Sequence, residues 1–198
     1  MGCAMKTTKK EILDAALTVF SRDGYEGAKL ADIAGLLGIT KGALYKHYDG
    51  KEALWDAMIA SIETYYGERI GTAADIAVPE TLDGLKELSL RQINFTLHDD
   101  TIRRVRKILT IGQYRNEHIR DLAVRHFMTD MEELYARIFS GMIGSGLLKD
   151  ADAGLLAFEY TSPITGLIHL CDIEPDREKE VMERIEKHID LFCSAYGR

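Results

Sequence analysis

Between Thr40 and Lys51 the chain gathers side chains able to grip a polyanion. They are a hydroxyl at Thr40, ammonium groups at Lys41, Lys46 and Lys51, a phenol at Tyr45 and an imidazole at His47. A lysine can donate to guanine acceptors and an alanine methyl can touch a thymine methyl, so Lys41 and Ala43 suit base edges. Thr40 stands at a helix start, where backbone amides and a hydroxyl meet phosphate readily. Gly42 permits close approach of backbone to DNA. Tyr45, His47 and Lys51 suit phosphates, which set register without reading sequence.

Other chemistries find little support. The chain has no GxSxG elbow, no HExxH and no phosphate-cradling glycine loop. Gly144-Ser145-Gly146 has the wrong spacing for a nucleotide fingerprint and reads as an interhelical turn. No catalytic residue and no enzyme activity are therefore expected. The cysteines, Cys3, Cys171 and Cys193, are odd in number and form no CxxC pair, which argues against a disulfide framework and a zinc site. His118 and His126 lie two helical turns apart, too far for a local pair of ligands. No metal and no cofactor are expected, and a reducing cytoplasm is the simplest setting.

These side chains need helices to hold them. Thr8 and Glu11 fit a capping box, followed by Ile12, Ala16, Val19 and Phe20 on one helical face. Gly24 is placed to end this first helix in a left-handed conformation. A second helix is predicted over Lys29–Leu37, and Gly38 supplies the turn. A third, capped by Thr40, is predicted over Lys41–His47, with Leu44 as its large apolar anchor. Ala34 is small where the second and third helices cross. Ile33, Leu37, Ile39 and Leu44 set the angle between them. Two short helices joined by a glycine turn form a helix-turn-helix, whose second helix enters the major groove.

A fourth helix begins at Lys51. Beyond a linker at Ala73–Thr81, helices are predicted over Leu82–Leu97, Thr101–Tyr114, Glu117–Ile143, Ala151–Leu170 (bent or interrupted near Pro163 and Gly166) and Arg177–Tyr196. The expected fold is all-α. It comprises a three-helix DNA-binding domain at 1–50 and a helical effector and dimerisation domain at 51–198. Residues 1–5 read as a flexible leader, with Met5 a possible natural start.

Composition agrees with a globular helical chain. It holds 198 residues, 46% hydrophobic and 29% charged, with three prolines. No apolar run approaches the roughly 20 residues of a membrane span, so no membrane partner is expected. Of 25 Lys and Arg and 32 Asp and Glu, residues 1–50 hold 7 and 6, leaving 18 and 26 for the remainder. The net charge of -7 thus belongs to the C-terminal three-quarters, and a basic surface near the N-terminus can still attract double-stranded DNA.

Residues 8–55 resemble the DNA-binding domain of the TetR family of bacterial transcriptional regulators. The matching run includes Ile12 to Ala16, Phe20 and Gly24-Tyr25-Glu26. It continues through Ile33-Ala34, Leu37 to Gly42 and Leu44 to Tyr48, and closes with Lys51 to Leu54. Two positions depart from the family pattern. Lys29 replaces the usual Ser or Thr cap of the second helix and could reach a phosphate instead. Gly50 stands where Ser or Asn commonly caps the fourth.

The resemblance implies a ligand-responsive regulator, most often a repressor, that binds a pseudo-palindromic operator as a homodimer. The last two helices would form the interface, and the stripe Val181, Ile185, Ile189 and Phe192 suits such a bundle. It also implies a small-molecule pocket coupled to the DNA-reading helices through the fourth helix. Candidates for a largely apolar effector are Tyr65, Phe95, Tyr114, His118, Phe127, Met131, Glu159, Tyr160 and His169. Control by a protein partner, or no effector at all, remains the alternative. The basic run Arg103-Arg104-Val105-Arg106-Lys107 is expected as a solvated face paired with acidic neighbours.

Overall fold

The structure, a computed structural model, describes residues 7–70 and 75–198, with the side chain of Ile70 excluded. The expected leader, and Ala73 and Ala74 of the expected linker, lie outside the described residues. Among the described residues there are ten α-helices and a single antiparallel bridge, Leu148 to Gly197. No described helix is long and apolar enough to cross a membrane.

Helix α1 spans Lys9–Gly27. Its start is local chemistry: the Glu11 amide donates to the Thr8 hydroxyl at 3.2 Å, and the Thr8 amide donates to the Glu11 carboxylate at 2.7 Å. Gly24 interrupts the regular helix with φ 71 and ψ 171, a combination only glycine adopts without strain. The positive φ matches expectation, but ψ lies outside the left-handed helical well, so the chain kinks there.

Helix α2 is Leu30–Leu36 and α3 is Lys41–Tyr45. The turn between them needs Gly38, whose φ is 64. Helix α3 is shorter than expected, with Lys46 and His47 forming a turn after it. Helix α4, Lys51–Ile70, sends Leu54, Trp55 and Met58 into the same core as Ile12, Phe20, Ile33 and Leu44. Phe20 stacks on Tyr25 there and Trp55 meets both rings edge-on, with ring centroids 5.1 to 5.8 Å apart.

The larger body contains α5 (Leu82–His98), α6 (Asp100–Gly112), α7 (Glu117–Val124), α8 (Asp130–Gly144), α9 (Ala153–Ile173) and α10 (Glu178–Tyr196). The expected single helix over Glu117–Ile143 is divided by a π-helical turn at Arg125–Thr129. Helix α9 runs unbroken through Pro163 and Gly166.

The stripe Val181, Ile185, Ile189 and Phe192 is buried inside this chain's own core, with Leu85, Phe139 and Tyr160. Its apolar character was legible, but it faces inward and is not available to a second subunit. The exposed apolar residues of the last two helices are instead Leu155, Phe158, Ile173 and Leu191.

Helix α6 packs along α1. Arg104 donates to the Thr18 hydroxyl at 3.2 Å, and Val105, Ile108 and Leu109 complete the N-terminal core. The basic run is therefore only partly solvated. Arg104 pairs with Asp100 at 2.6 Å, whereas Arg106 is 2% exposed.

Candidate nucleic-acid interface and cavity

The outward side of α3 is built by one cap and one anchor. Thr40 accepts the Ala43 amide at 3.1 Å, closing the first turn of a helix too short to stand without it. Leu44, 1% exposed, plugs the helix into the core. That placement leaves Thr40, Lys41, Gly42, Tyr45, Lys46 and His47 exposed and Ala43 half-buried. The Lys41 ammonium lies 5.6 Å from the Tyr45 ring centroid. Lys29 is exposed at the N-cap of α2 and makes no side-chain cap bond.

Lys51 is placed differently. Its ammonium donates to the carbonyl oxygens of Tyr25 at 2.9 Å, Glu26 at 3.3 Å and Ala28 at 3.5 Å. These carbonyls belong to the C-terminal end of α1, where a cation complements both the lone pairs and the helix dipole. The group expected at a phosphate is committed to holding α1 against α4.

A cavity of about 500 Å³ opens among α4 to α9 and the π turn. Its wall is largely apolar, for example Ile62, Ile93, Leu109 and Ile168. Of the nine expected pocket residues it takes Phe127, Met131 and His169. Tyr65 and Phe95 stop one layer short. Tyr65 donates to Asp99 at 2.6 Å, and Phe95 packs on Tyr66, which does reach the wall.

The other four lie elsewhere. Tyr114 is 87% exposed after α6. His118 is exposed beside Asp56 at 3.4 Å. Glu159 accepts from the Tyr196 hydroxyl at 2.8 Å on the surface. Tyr160 is fully buried and bonded to Ser89 at 2.7 Å. Alternation of exposed and buried helix faces, invisible in residue type alone, separates them from the wall.

Several polar residues of the wall were not expected, Arg106, Gln92 and His126 among them. Arg106 forms a two-pronged pair with Asp172 at 2.9 and 2.6 Å and also donates to the Thr96 carbonyl. Gln92, 3% exposed, accepts from Tyr135 at 3.0 Å while its Nε2 has no protein partner. His126 is carried by the π turn. Burial first, and then the Arg106 cation, push its imidazole down to about 4. π turns recur at functional sites because the extra residue re-aims neighbouring side chains. Among the described residues no group of three or more His, Cys, Asp or Glu could hold a metal ion.

A short exposed helix behind a glycine turn, joined to a helical body with a ligand-sized cavity, defines a helix-turn-helix regulator. Residues 12–58 match the family described as bacterial regulatory proteins, tetR family. The negative transcriptional regulator IcaR of the Staphylococcus epidermidis icaADBC biofilm operon is 28% identical, over 48% of this chain and 68% of that protein. The transcriptional regulator TtgR of Pseudomonas putida is 30% identical, over 52% of this chain and 49% of that protein. The chain thus spans about half the length of the TtgR relative it matches.

Its fold is similar to that of SmeT, the repressor of the Stenotrophomonas maltophilia multidrug efflux pump SmeDEF, in a complex with triclosan. The TM-score is 0.76 at 20% identity, covering 96% of this chain and 91% of that one. Residues 12–58 thus carry the DNA-binding domain of the TetR family.

Proposed function

We propose that the protein is a homodimeric transcriptional repressor that binds a pseudo-palindromic operator and is released by a small, largely apolar effector. The observation that carries this reading is the double duty of α6. Val105 and Leu109 line the cavity and also belong to the core that anchors α1. Pressure on α6 from a ligand would therefore be felt by the helix-turn-helix directly. Helix α4 provides a second route, with Ile62 and Tyr66 at the cavity and Trp55 and Met58 in the N-terminal core.

In this reading residues 1–50 form the DNA-binding domain, braced by the first turns of α4, and 51–198 the effector and dimer domain. Lys41 and Ala43 read base edges, Gly42 allows close approach, and Thr40, Tyr45, Lys46, His47 and Lys29 position the helix on phosphates. The exposed apolar stripe Leu155, Phe158 and Ile173 on α9, with the small Ser162 and Gly166 on the same face, supports pairing with a second copy through α9 and α10. Binding of triclosan by SmeT supports a small-molecule effector. Ligand would favour a dimer state whose two α3 helices no longer match successive major grooves about 34–36 Å apart.

The test is fluorescence anisotropy on DNA upstream of the protein's own gene against a scrambled duplex, with a random-library selection to find the operator if it lies elsewhere. Selective binding that falls with salt and is lost in Tyr45→Ala is expected. Equal weak binding to every duplex, including library-selected ones, would overturn the reading.

A further inference from the structure

The polar groups of the cavity are arranged unlike a receptor for charge. Each formal cation on the wall already has a carboxylate: Arg106 grips Asp172 in two prongs, and Arg125 lies 3.5 Å from Glu63 and 3.7 Å from Asp130. Arg106 further spends a donor on Thr96. His126 is held neutral by its burial and by Arg106. A charged ligand entering here would lose its hydration without meeting a buried, unpaired counter-ion, because the two acidic wall residues, Glu63 and Asp130, share Arg125 and are themselves more than half exposed.

Among the fully buried side-chain donors of the wall one, by contrast, is left over. A short network fixes Gln92: the Ser89 hydroxyl donates to Leu85 at 2.9 Å, Tyr160 and Tyr135 converge on Ser89, and Tyr135 donates to Gln92 Oε1. With Oε1 taken, Nε2 remains unpartnered in a residue that lines the cavity. A buried amide donor without an acceptor is costly, and a group placed to satisfy it gains both energy and orientation.

We infer that the effector is an uncharged, mainly apolar molecule whose carbonyl, ether or phenolic oxygen accepts from Gln92 Nε2. This deepens the reading of the cavity as an effector site and rests on it. Selectivity follows from chemistry on the wall: apolar volume supplies affinity, and the single amide sets how the molecule lies. Anionic and cationic molecules of the same shape are rejected.

The experiment is calorimetric titration of the full chain with four matched probes: 4-acetylbiphenyl, 4-ethylbiphenyl, biphenyl-4-carboxylate and 4-phenylbenzylamine. The ketone should bind about tenfold more tightly than the ethyl compound, the gain of one buried hydrogen bond. The carboxylate and the ammonium should bind at least about tenfold more weakly than the ketone. In Gln92→Leu the ketone's advantage should vanish while the ethyl compound still binds, which also shows that the variant is folded.

A charged probe binding as tightly as the ketone, or a ketone advantage that survives in Gln92→Leu, would overturn the inference. Ethyl and ketone compounds binding equally in the parent chain would overturn it too, while leaving the effector cavity standing. Failure of all four to bind would remove the cavity reading and this inference with it.

Discussion

Lys51 Nζ stands 2.9 Å from the carbonyl oxygen of Tyr25 and 4.6 Å from the centroid of the Tyr25 ring. One side chain thereby closes the end of α1, packs on an aromatic and ties both to the first turn of α4. Lys51→Ala should lower stability by about 1–2 kcal/mol, since it leaves several carbonyls without a charged donor. For a chain of this size that lowers the melting temperature by about 3–6 °C. The slope of operator affinity against salt should be unchanged in Lys51→Ala but shallower in Lys46→Ala, because a lost phosphate contact reduces that slope by about one. A shallower slope for Lys51→Ala would return this residue to the DNA surface.

The turn before α3 makes a second demand. Gly38 holds φ at 64, where a Cβ is disfavoured although nothing lies within 4 Å of the added atom. Gly38→Ala should therefore cost about 1 kcal/mol through backbone strain, and Gly38→Asn less, because Asn tolerates this conformation better. Thermal melts monitored by circular dichroism would rank the three proteins. Equal losses in the two variants would point to steric crowding, which the open space around Gly38 argues against.

Features of the fold legible in the sequence were those whose partners are close along the chain. The Thr8–Glu11 box and the Thr40 cap each close over three residues, so residue type and spacing state the bond. The cavity was legible only in part. Phe127, Met131 and His169 reach it, but Arg106 looked like one member of a solvated basic run because its partner Asp172 lies 66 residues away on α9. Gln92 carried no signal at all, since an amide on a helix means little until its burial is known. The α10 stripe shows the same boundary: a period of 3.6 identifies a covered face without saying which element covers it.

Arg106, on the cavity wall, and Asp172 join α6 to α9, with the arginine side chain 3% exposed and the aspartate 27%. Removing the arginine strands an aspartate that solvent still reaches, whereas removing the aspartate would strand a buried cation. Arg106→Leu should then cost about 1–2 kcal/mol, with the Thr96 carbonyl also losing its donor. The double variant Arg106→Leu with Asp172→Leu should be more stable than Arg106→Leu alone. Urea unfolding of the four proteins gives the coupling directly; simple additivity would mean that the pair contributes no mutual stabilisation.

His126 predicts a pH dependence. The unfolded imidazole titrates near 6.5 and the folded one near 4, so between these values the unfolded state binds the proton more readily. Stability from this group is thus complete above about 6.5 and is lost as pH falls toward 4. Going from pH 7 to pH 5, the parent chain should lose about 1–2 kcal/mol more than His126→Leu. Equal losses would show that the imidazole is not held neutral by its surroundings.

The outer face of α9 and α10 carries the last prediction. Phe158 is 49% exposed and Leu191 68%, while the inner stripe beneath them is sealed by this chain's own core. An apolar face left over after the core is complete calls for a partner, and on the proposed reading of two half-sites that partner is a second copy. Light scattering should give twice the 22.2 kDa chain mass for the parent protein. Phe158→Glu with Leu191→Glu should shift it to the single-chain mass, because two carboxylates would be desolvated in each half of the interface. Operator affinity should drop at least about a hundredfold, since linked half-sites gain that much from simultaneous engagement. Neither residue lines the cavity, so 4-ethylbiphenyl affinity should be retained if the interface and the cavity are separate. A variant that stays dimeric would move the interface away from this face, and a monomer with undiminished operator affinity would break the link between dimerisation and DNA reading.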